Sequence, residues 1–355
     1  MSDRATVTVD LHKIEENARR VVRALPGVSI VGVTKVTCGA PEVARAMLAG
    51  GVVAIGESRL ENAARLRDAG VTAPMWLIRA PAPGVAPDAV RLADVSLVSE
   101  VAIAEALDAA AGAAGVRHGI LAMVDIGDLR EGMWPDAVPA FLTRVSALRN
   151  IDVIGIGTNL TCFGAIVPDA ENLGLLGGVA RAAERQLGRR LVVSGGNSTS
   201  IAPIMSALGH ESINNIRIGE AIVLGVDPST RAAIPGLPLH ADAVTLTAPV
   251  IECSVKPSKP IGRAAQDAFG NVPDFRDLGL RRRAICALGR QDAPPEGLTP
   301  LDPRVKVLGA SSDHLVLDVE DLPTPPAIGE SLSFIPGYGA TLALFTSPYV
   351  EKVFV

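Results

Sequence analysis

Eight short apolar runs, spaced by loops and helical stretches, constrain the fold of this chain more than any other feature. They occupy residues 29–34, 52–56, 74–78, 95–98, 120–124, 153–157, 191–193 and 215–218. Helical patterns at 41–49, 58–69, 101–111, 136–149 and 173–187 separate most of them, while 80–92 is proline-rich and can hold only a short helix. Apolar runs without strict alternation fit strands buried on both faces, as in a parallel sheet. Repeated β/α units over residues 11–236 predict an α/β fold, a (β/α)8 TIM-like barrel. An open doubly wound sheet is the competing arrangement.

Beyond Pro235-Gly236-Leu237-Pro238 the pattern changes. Strand-like runs at 243–255, 283–288, 305–308, 314–319, 331–335 and 352–355 alternate with connections rich in proline and glycine, and little helix is expected. Residues 237–355 therefore read as a mainly antiparallel β domain. A net charge of −5 offers no basic footprint for nucleic acid or anionic lipid. No window of eighteen residues is continuously apolar, and the start lacks a basic segment followed by an apolar one, so neither a membrane span nor a signal peptide is expected. The cysteines at 38, 162, 253 and 286 are widely spaced, which predicts no disulfide framework and a cytoplasmic protein. His12, His118, His210 and His240 are scattered without metal-ligand spacing, and no metal is expected.

In a barrel of this kind the residues just past each strand face the catalytic rim. Here they are Lys35, Glu57-Ser58, Arg79, Ser99-Glu100, Asp125, Thr158-Asn159, 194–198 and Gly219-Glu220. Lys35 ends the first run and is the one lysine between Lys13 and Lys256 in a chain that otherwise uses arginine. An ammonium can lose its proton when desolvated and a guanidinium cannot, so this placement suggests amine chemistry such as a Schiff base. A strand-end lysine with its head in water is the plain alternative. The loop Ser194-Gly195-Gly196-Asn197-Ser198-Thr199-Ser200 has the glycines and donors of a phosphate cradle, or else of a simple helix cap. Arg217, inside the eighth run, requires a buried partner.

Together these features, with the stretches DIGDLREG (125–132), NLTCFGAIVP (159–168), VSGGNSTS (193–200), IRIGEAIVLG (216–225), KPSKPIG (256–262), DAFGN (267–271) and LGASSDHLVLDV (308–319), make the chain resemble the alanine racemase family of pyridoxal-phosphate enzymes, in its ornithine racemase branch. The resemblance implies a pyridoxal 5'-phosphate-dependent racemase of a free, basic amino acid such as ornithine. It implies that Lys35 holds the cofactor covalently and acts as one base, and that Arg217 bonds the pyridine nitrogen. Arg130 lies near the substrate carboxylate, and Asn197, Ser198 and Gly219 bind phosphate. It further implies that residues 1–10 join the β domain and that the chain forms a head-to-tail homodimer in which that domain covers a partner's barrel.

The departures from the family pattern matter equally. Arg290 stands where the opposite-face tyrosine is usual, Met123 where many relatives carry a carbamylated lysine, Asn159 where a histidine stacks on the ring, and Gly39 where a tyrosine contacts the cofactor. The second base is then sought at Asp313 with His314, or at Cys162, which with Arg130 and Arg290 also lines the expected substrate site. A satisfied strand histidine and a buried small thiol are the structural alternatives. A distal substrate ammonium would call for Asp267, Asp292 or Asp313. Asp125, Asp128 and Glu131 read as a solvated loop, and Arg281 to Arg283 as a solvated turn. A D-hydroxyamino-acid aldolase and a non-catalytic pyridoxal-phosphate carrier are the competing activities.

Overall fold

A computed structural model describes residues 4–206 and 212–355; His210 lies outside the described residues. Two compact units emerge, Leu11–Ala241 and a second made of the first ten residues with Asp242–Val355. The sequence pattern placed the change of unit slightly earlier, after residue 236.

The first strand, β1 (Thr6–Val9), belongs to the second unit. The larger unit is a closed barrel of β2 (Ser29–Val33), β3 (Ala54–Glu57), β4 (Met75–Leu77), β5 (Val95–Val98), β6 (His118–Met123), β7 (Ile151–Gly157), β8 (Val192–Ser194) and β9 (Asn215–Ile218). All neighbouring pairs run parallel, and β9 closes on β2 with Val31 opposite Arg217 and Gly32 opposite Ile218. The open doubly wound alternative is thereby excluded. Val31, Ala54, Trp76, Val95, Leu97, Leu121 and Met123 form one buried cluster, which explains why the strands read as continuous apolar runs. Each Val, Leu or Met side chain among them contributes roughly 1.5–3 kcal/mol on burial. Two expected rim residues belong to strands instead: Glu57 ends β3 and Ser194 ends β8.

Helices follow the strands, and their starts obey local chemistry. The longest, Ala170–Leu187, opens on a capping box in which the Asp169 side chain accepts from Asn172 N–H and the Asn172 side chain accepts from Asp169 N–H. The proline-rich 80–92 segment holds only the short helix Ala86–Leu92. No helix among the described residues is long and apolar enough to cross a membrane.

The second unit is an eight-stranded sheet of β10 (Val244–Pro257), β11 (Leu280–Ala287), β12 (Leu298–Pro300), β13 (Lys306–Ala310), β14 (His314–Asp318), β15 (Ser331–Pro336) and β16 (Glu351–Phe354) with β1. Its central order is β12-β15-β10-β11-β14-β13, all antiparallel, and β1 joins β10 antiparallel and β16 parallel. Arg281 to Arg283 lie inside β11 rather than in a turn before it, and Arg281 forms a bidentate pair with Asp318 at 2.9 and 3.0 Å. The strand pattern also misses the helix Tyr338–Thr346, whose sequence YGATLALFT is too uniformly apolar to show a helical stripe.

One buried histidine gives the barrel a pH dependence. His118 is 2% exposed, its Nε2 lies 2.9 Å from Ser96 Oγ, and burial, opposed by Asp94, depresses its pKa to about 4. The unfolded chain protonates this ring below about 6.5, the folded chain only below about 4. Stability from the neutral ring is therefore complete above pH 6.5 and is lost as pH falls through that window, by roughly 3 kcal/mol. Thermal denaturation from pH 7 to pH 4 is expected to show this fall, and His118→Gln, which cannot titrate, to flatten it; an unchanged slope would contradict the assignment.

Candidate active site

The carboxyl ends of β2 and β9 carry the two cations that the sequence singled out. Lys35 opens a one-turn 3-10 helix, Lys35–Thr37, directly after β2. That turn is anchored from below: Thr34 N–H donates to Gly56 O at 3.2 Å and Thr34 Oγ1 donates to Glu57 Oε1 at 2.6 Å. Glu57 is wholly buried and also accepts from Asn62 Nδ2 at 3.0 Å and Ser58 N at 3.1 Å. Burial raises its pKa, while these donors and the Lys35 charge oppose the rise. Glu220 is likewise raised by burial and lowered by Arg231 and Lys35. Lys35 thus sits in the field of two carboxylates, neither of which sequence reasoning assigned a role. An apolar run ending on a carboxylate was the available signal for Glu57.

Arg217 is 3% exposed. Its Nη1 donates to Ser194 Oγ, and its Nη2 donates to Thr158 O at 2.6 Å and Asn159 Oδ1 at 2.8 Å. Burial lowers its pKa to about 10, which still leaves the group cationic at neutral pH. Ser194 in turn donates to Asn215 Oδ1 at 2.6 Å. Asn159 Nδ2 donates to Glu131, and Glu131 pairs with Arg130 through Nε and Nη2, one edge of the guanidinium.

The glycine-rich loop after β8 turns tightly. Gly196 has φ 107°, and a Cβ there would lie 2.7 Å from Ser200 Oγ, so a side chain would both strain the backbone and crowd that hydroxyl. Ser198 is buried, and its Oγ accepts from Ala221 N at 3.2 Å, which joins this loop to the segment after Gly219. Asn197 is engaged by its own scaffold: Oδ1 accepts from Thr199 N at 3.0 Å, and Nδ2 donates to Leu160 O at 2.8 Å and contacts Cys162 Sγ at 3.4 Å. Cys162 is exposed on the loop after β7, not buried as a small apolar side chain.

The 125–132 stretch is solvated only in part. Asp125 and Asp128 are both buried. Asp125 Oδ1 accepts from Gly127 N at 2.8 Å and Leu129 N at 3.2 Å, and Asp128 accepts from Phe163 N at 3.1 Å and Gly164 N at 3.0 Å. Asp128 therefore ties the loop after β6 to the loop after β7.

Arg290, Asp313 and His314 gather on the smaller unit. Gly289 passes so close to Ser312 that a Cβ would lie 1.8 Å from its carbonyl oxygen, and this approach brings the two turns together. Gln291 Nε2 donates to Asp313, and the exposed His314 has Nδ1 3.4 Å from Ser311 Oγ. Arg290 donates from Nε to Ala310 O at 3.2 Å, pairs with Glu296, and lies 5.2 Å from the centroid of the Phe269 ring. Of the carboxylates considered for a distal ammonium, Asp292 is buried and accepts from Gly289 N and Ser347 Oγ, and Asp267 is engaged by Phe269 and Asn271. Asp313 remains exposed. Among the described residues no three His, Cys, Asp or Glu side chains gather as metal ligands.

Residues 9–227 match the family profile of the alanine racemase N-terminal domain. The chain is 40% identical to the lysine racemase of Thermotoga maritima, covering 98% of this chain and 97% of that one. It is 37% identical to the ornithine racemase of Acetoanaerobium sticklandii, covering 98% of each. Among solved structures, the alanine racemase of Streptomyces lavendulae superposes with a TM-score of 0.76 at 20% identity, covering 100% of this chain and 98% of that one. The alanine racemase of Bartonella henselae with covalently bound pyridoxal phosphate also gives 0.76, at 16% identity and complete coverage of both.

The Asp128 tie can be tested by itself. Asp128→Ala removes the acceptor of two backbone N–H groups, each such loss being of order 1–3 kcal/mol. Hydrogen exchange of residues 159–166, followed by mass spectrometry, is expected to accelerate at least about 10-fold while the barrel strands keep their protection. Unchanged exchange in that loop would show that other contacts hold it.

Proposed function

The chain belongs to the alanine racemase family, and from that premise we propose that it interconverts the L and D forms of a free basic amino acid, lysine or ornithine, in the barrel mouth around Lys35. It is a pyridoxal-phosphate-dependent amino-acid racemase. The observation that supports this site is that Lys35, in the turn after β2, and the buried Arg217, on β9, follow and occupy neighbouring hydrogen-bonded strands of the barrel. The residues present fit the cofactor. They offer an amine in the turn after β2, a tight loop at Gly196 whose backbone no side chain covers, the Ser198 hydroxyl beside the Gly219 segment, and a donor-only cation.

When bound, pyridoxal phosphate supplies an electron-withdrawing ring that acidifies the substrate's α-hydrogen. Lys35 would hold it covalently and move a proton at the α-carbon on one face. Ser198 and the backbone at Gly219 receive its phosphate, with Asn197 shaping that loop through Thr199 and Leu160. Arg217 would donate toward the pyridine nitrogen, and its charge would disfavour a proton there. With that nitrogen unprotonated, the ring would withdraw less charge, which would favour return of the proton to the α-carbon. Asn159 shares Arg217's acceptor shell. Arg130 meets the substrate carboxylate beside Cys162. The opposite-face proton is assigned to Asp313 with His314, and Arg290 to substrate contact, from a second copy in a head-to-tail homodimer. Leu129 at 68% and Phe163 at 73% exposure on the barrel rim favour a covering partner, and light scattering at twice the chain mass would be the expected result. Four cysteines without a disulfide among the described residues favour the cytoplasm.

The test uses cofactor-loaded enzyme in deuterated buffer. Lysine and ornithine are expected to lose optical activity while exchanging their α-hydrogen, with kcat/KM for alanine about 100-fold lower or less. Lys35→Ala is expected to lose the borohydride-sensitive visible absorbance and at least about 1000-fold in rate. Equal rates on alanine would overturn the basic-substrate reading, and Cα–Cβ cleavage without exchange would favour the aldolase.

A further inference from the structure

We infer that Glu131 is a positioning residue that couples the two arginines of the site, orienting the Asn159 amide beneath Arg217 while holding the guanidinium of Arg130; this rests on the reading of the barrel mouth as the cofactor site. The geometry admits one arrangement. A carboxylate only accepts hydrogen bonds and a guanidinium only donates them, so an amide placed between the two must turn its nitrogen to the first and its oxygen to the second. Asn159 does this, giving Nδ2 to Glu131 Oε1 and receiving Arg217 Nη2 on Oδ1 at 2.8 Å. The same carboxylate takes Nε and Nη2 of Arg130, the fork geometry in which an arginine is most firmly oriented.

The other acceptors of Arg217 are neutral, the Ser194 hydroxyl and the Thr158 carbonyl. Glu131 is the carboxylate whose charge favours the protonated guanidinium there, while the charge of Arg130 opposes it. One anion between two cations therefore does two things. It relieves their repulsion, and it fixes a hydrogen-bond chain from the rim loop to the buried end of the site.

The test compares Glu131→Gln, Glu131→Ala, Asn159→Ala, the Glu131→Ala/Asn159→Ala double variant and Lys35→Ala as holoenzymes. Three quantities are read: the pH midpoint of the bound cofactor's visible absorbance, the cofactor dissociation constant, and Tm. Removing the anion leaves Arg130 uncompensated, which disfavours a proton on the cofactor's bound centre, so the midpoint is expected to fall in both Glu131 variants. Glu131→Gln keeps an acceptor for Asn159 and should bind cofactor more tightly than Glu131→Ala, whose dissociation constant is expected to rise about 10-fold or more. Because the two residues act in series, Glu131→Ala and Asn159→Ala should be non-additive in cofactor affinity. Tm of Glu131→Gln should stay within a few degrees of the parent. A parent-like midpoint in Glu131→Gln would overturn the inference, as would additive effects, and either leaves the cofactor reading standing. Parent-like cofactor absorbance in Lys35→Ala would instead bring down the reading itself.

Discussion

A guanidinium enclosed by a barrel must find acceptors at every edge, because an unpaired buried charge is destabilising by several kcal/mol. Arg217 is that group, and much of the barrel's upper end is arranged to receive it. The last residue of β8 contributes a hydroxyl, the segment after β7 contributes a carbonyl and an amide oxygen, and Asn215 orients the hydroxyl. Closure of β9 on β2 then fixes where that cation lies relative to Lys35, since Val31 is opposite Arg217 in the ladder. The chemistry of the site thus depends on ladder register, which a parallel barrel buried on both faces holds firmly.

Around this centre the rim loops are built from carboxylates used as backbone acceptors. Asp125 closes its own turn, and Asp128 reaches across to the loop after β7. Both are buried, so their hydrogen bonds are exchanged for no water and are correspondingly hard to remove. Glu57 plays the same part beneath Lys35, where three donors and the Lys35 charge oppose the rise in pKa that burial causes.

Much of this was legible in the chain. The eight apolar runs, the isolated Lys35, the glycine pair at 195–196 and the arginine inside the last run each carry a local signal, because burial on two faces, amine chemistry, close backbone approach and a buried charge all restrict residue type at a single position. What misled was charge density read without burial. DIGDLREG looks like a hydrated loop, yet Asp125 and Asp128 are enclosed and Glu131 is bonded to two side chains. Arg281 to Arg283 looked like a turn and lie in β11, where strand pairing brings Asp318 to Arg281.

The sequence by itself determined the alternation of strands and helices, the change to a β unit, and the types of side chain available for amine and anion chemistry, because hydrophobic periodicity and backbone preference act over a few residues. Only the tertiary structure decided that the sheet closes, that Asn159 lies between Glu131 and Arg217, and that Gly289 brings Arg290 beside the Ser312 turn. Those contacts join residues distant in sequence, and a hydrogen bond between them leaves no mark on either local pattern.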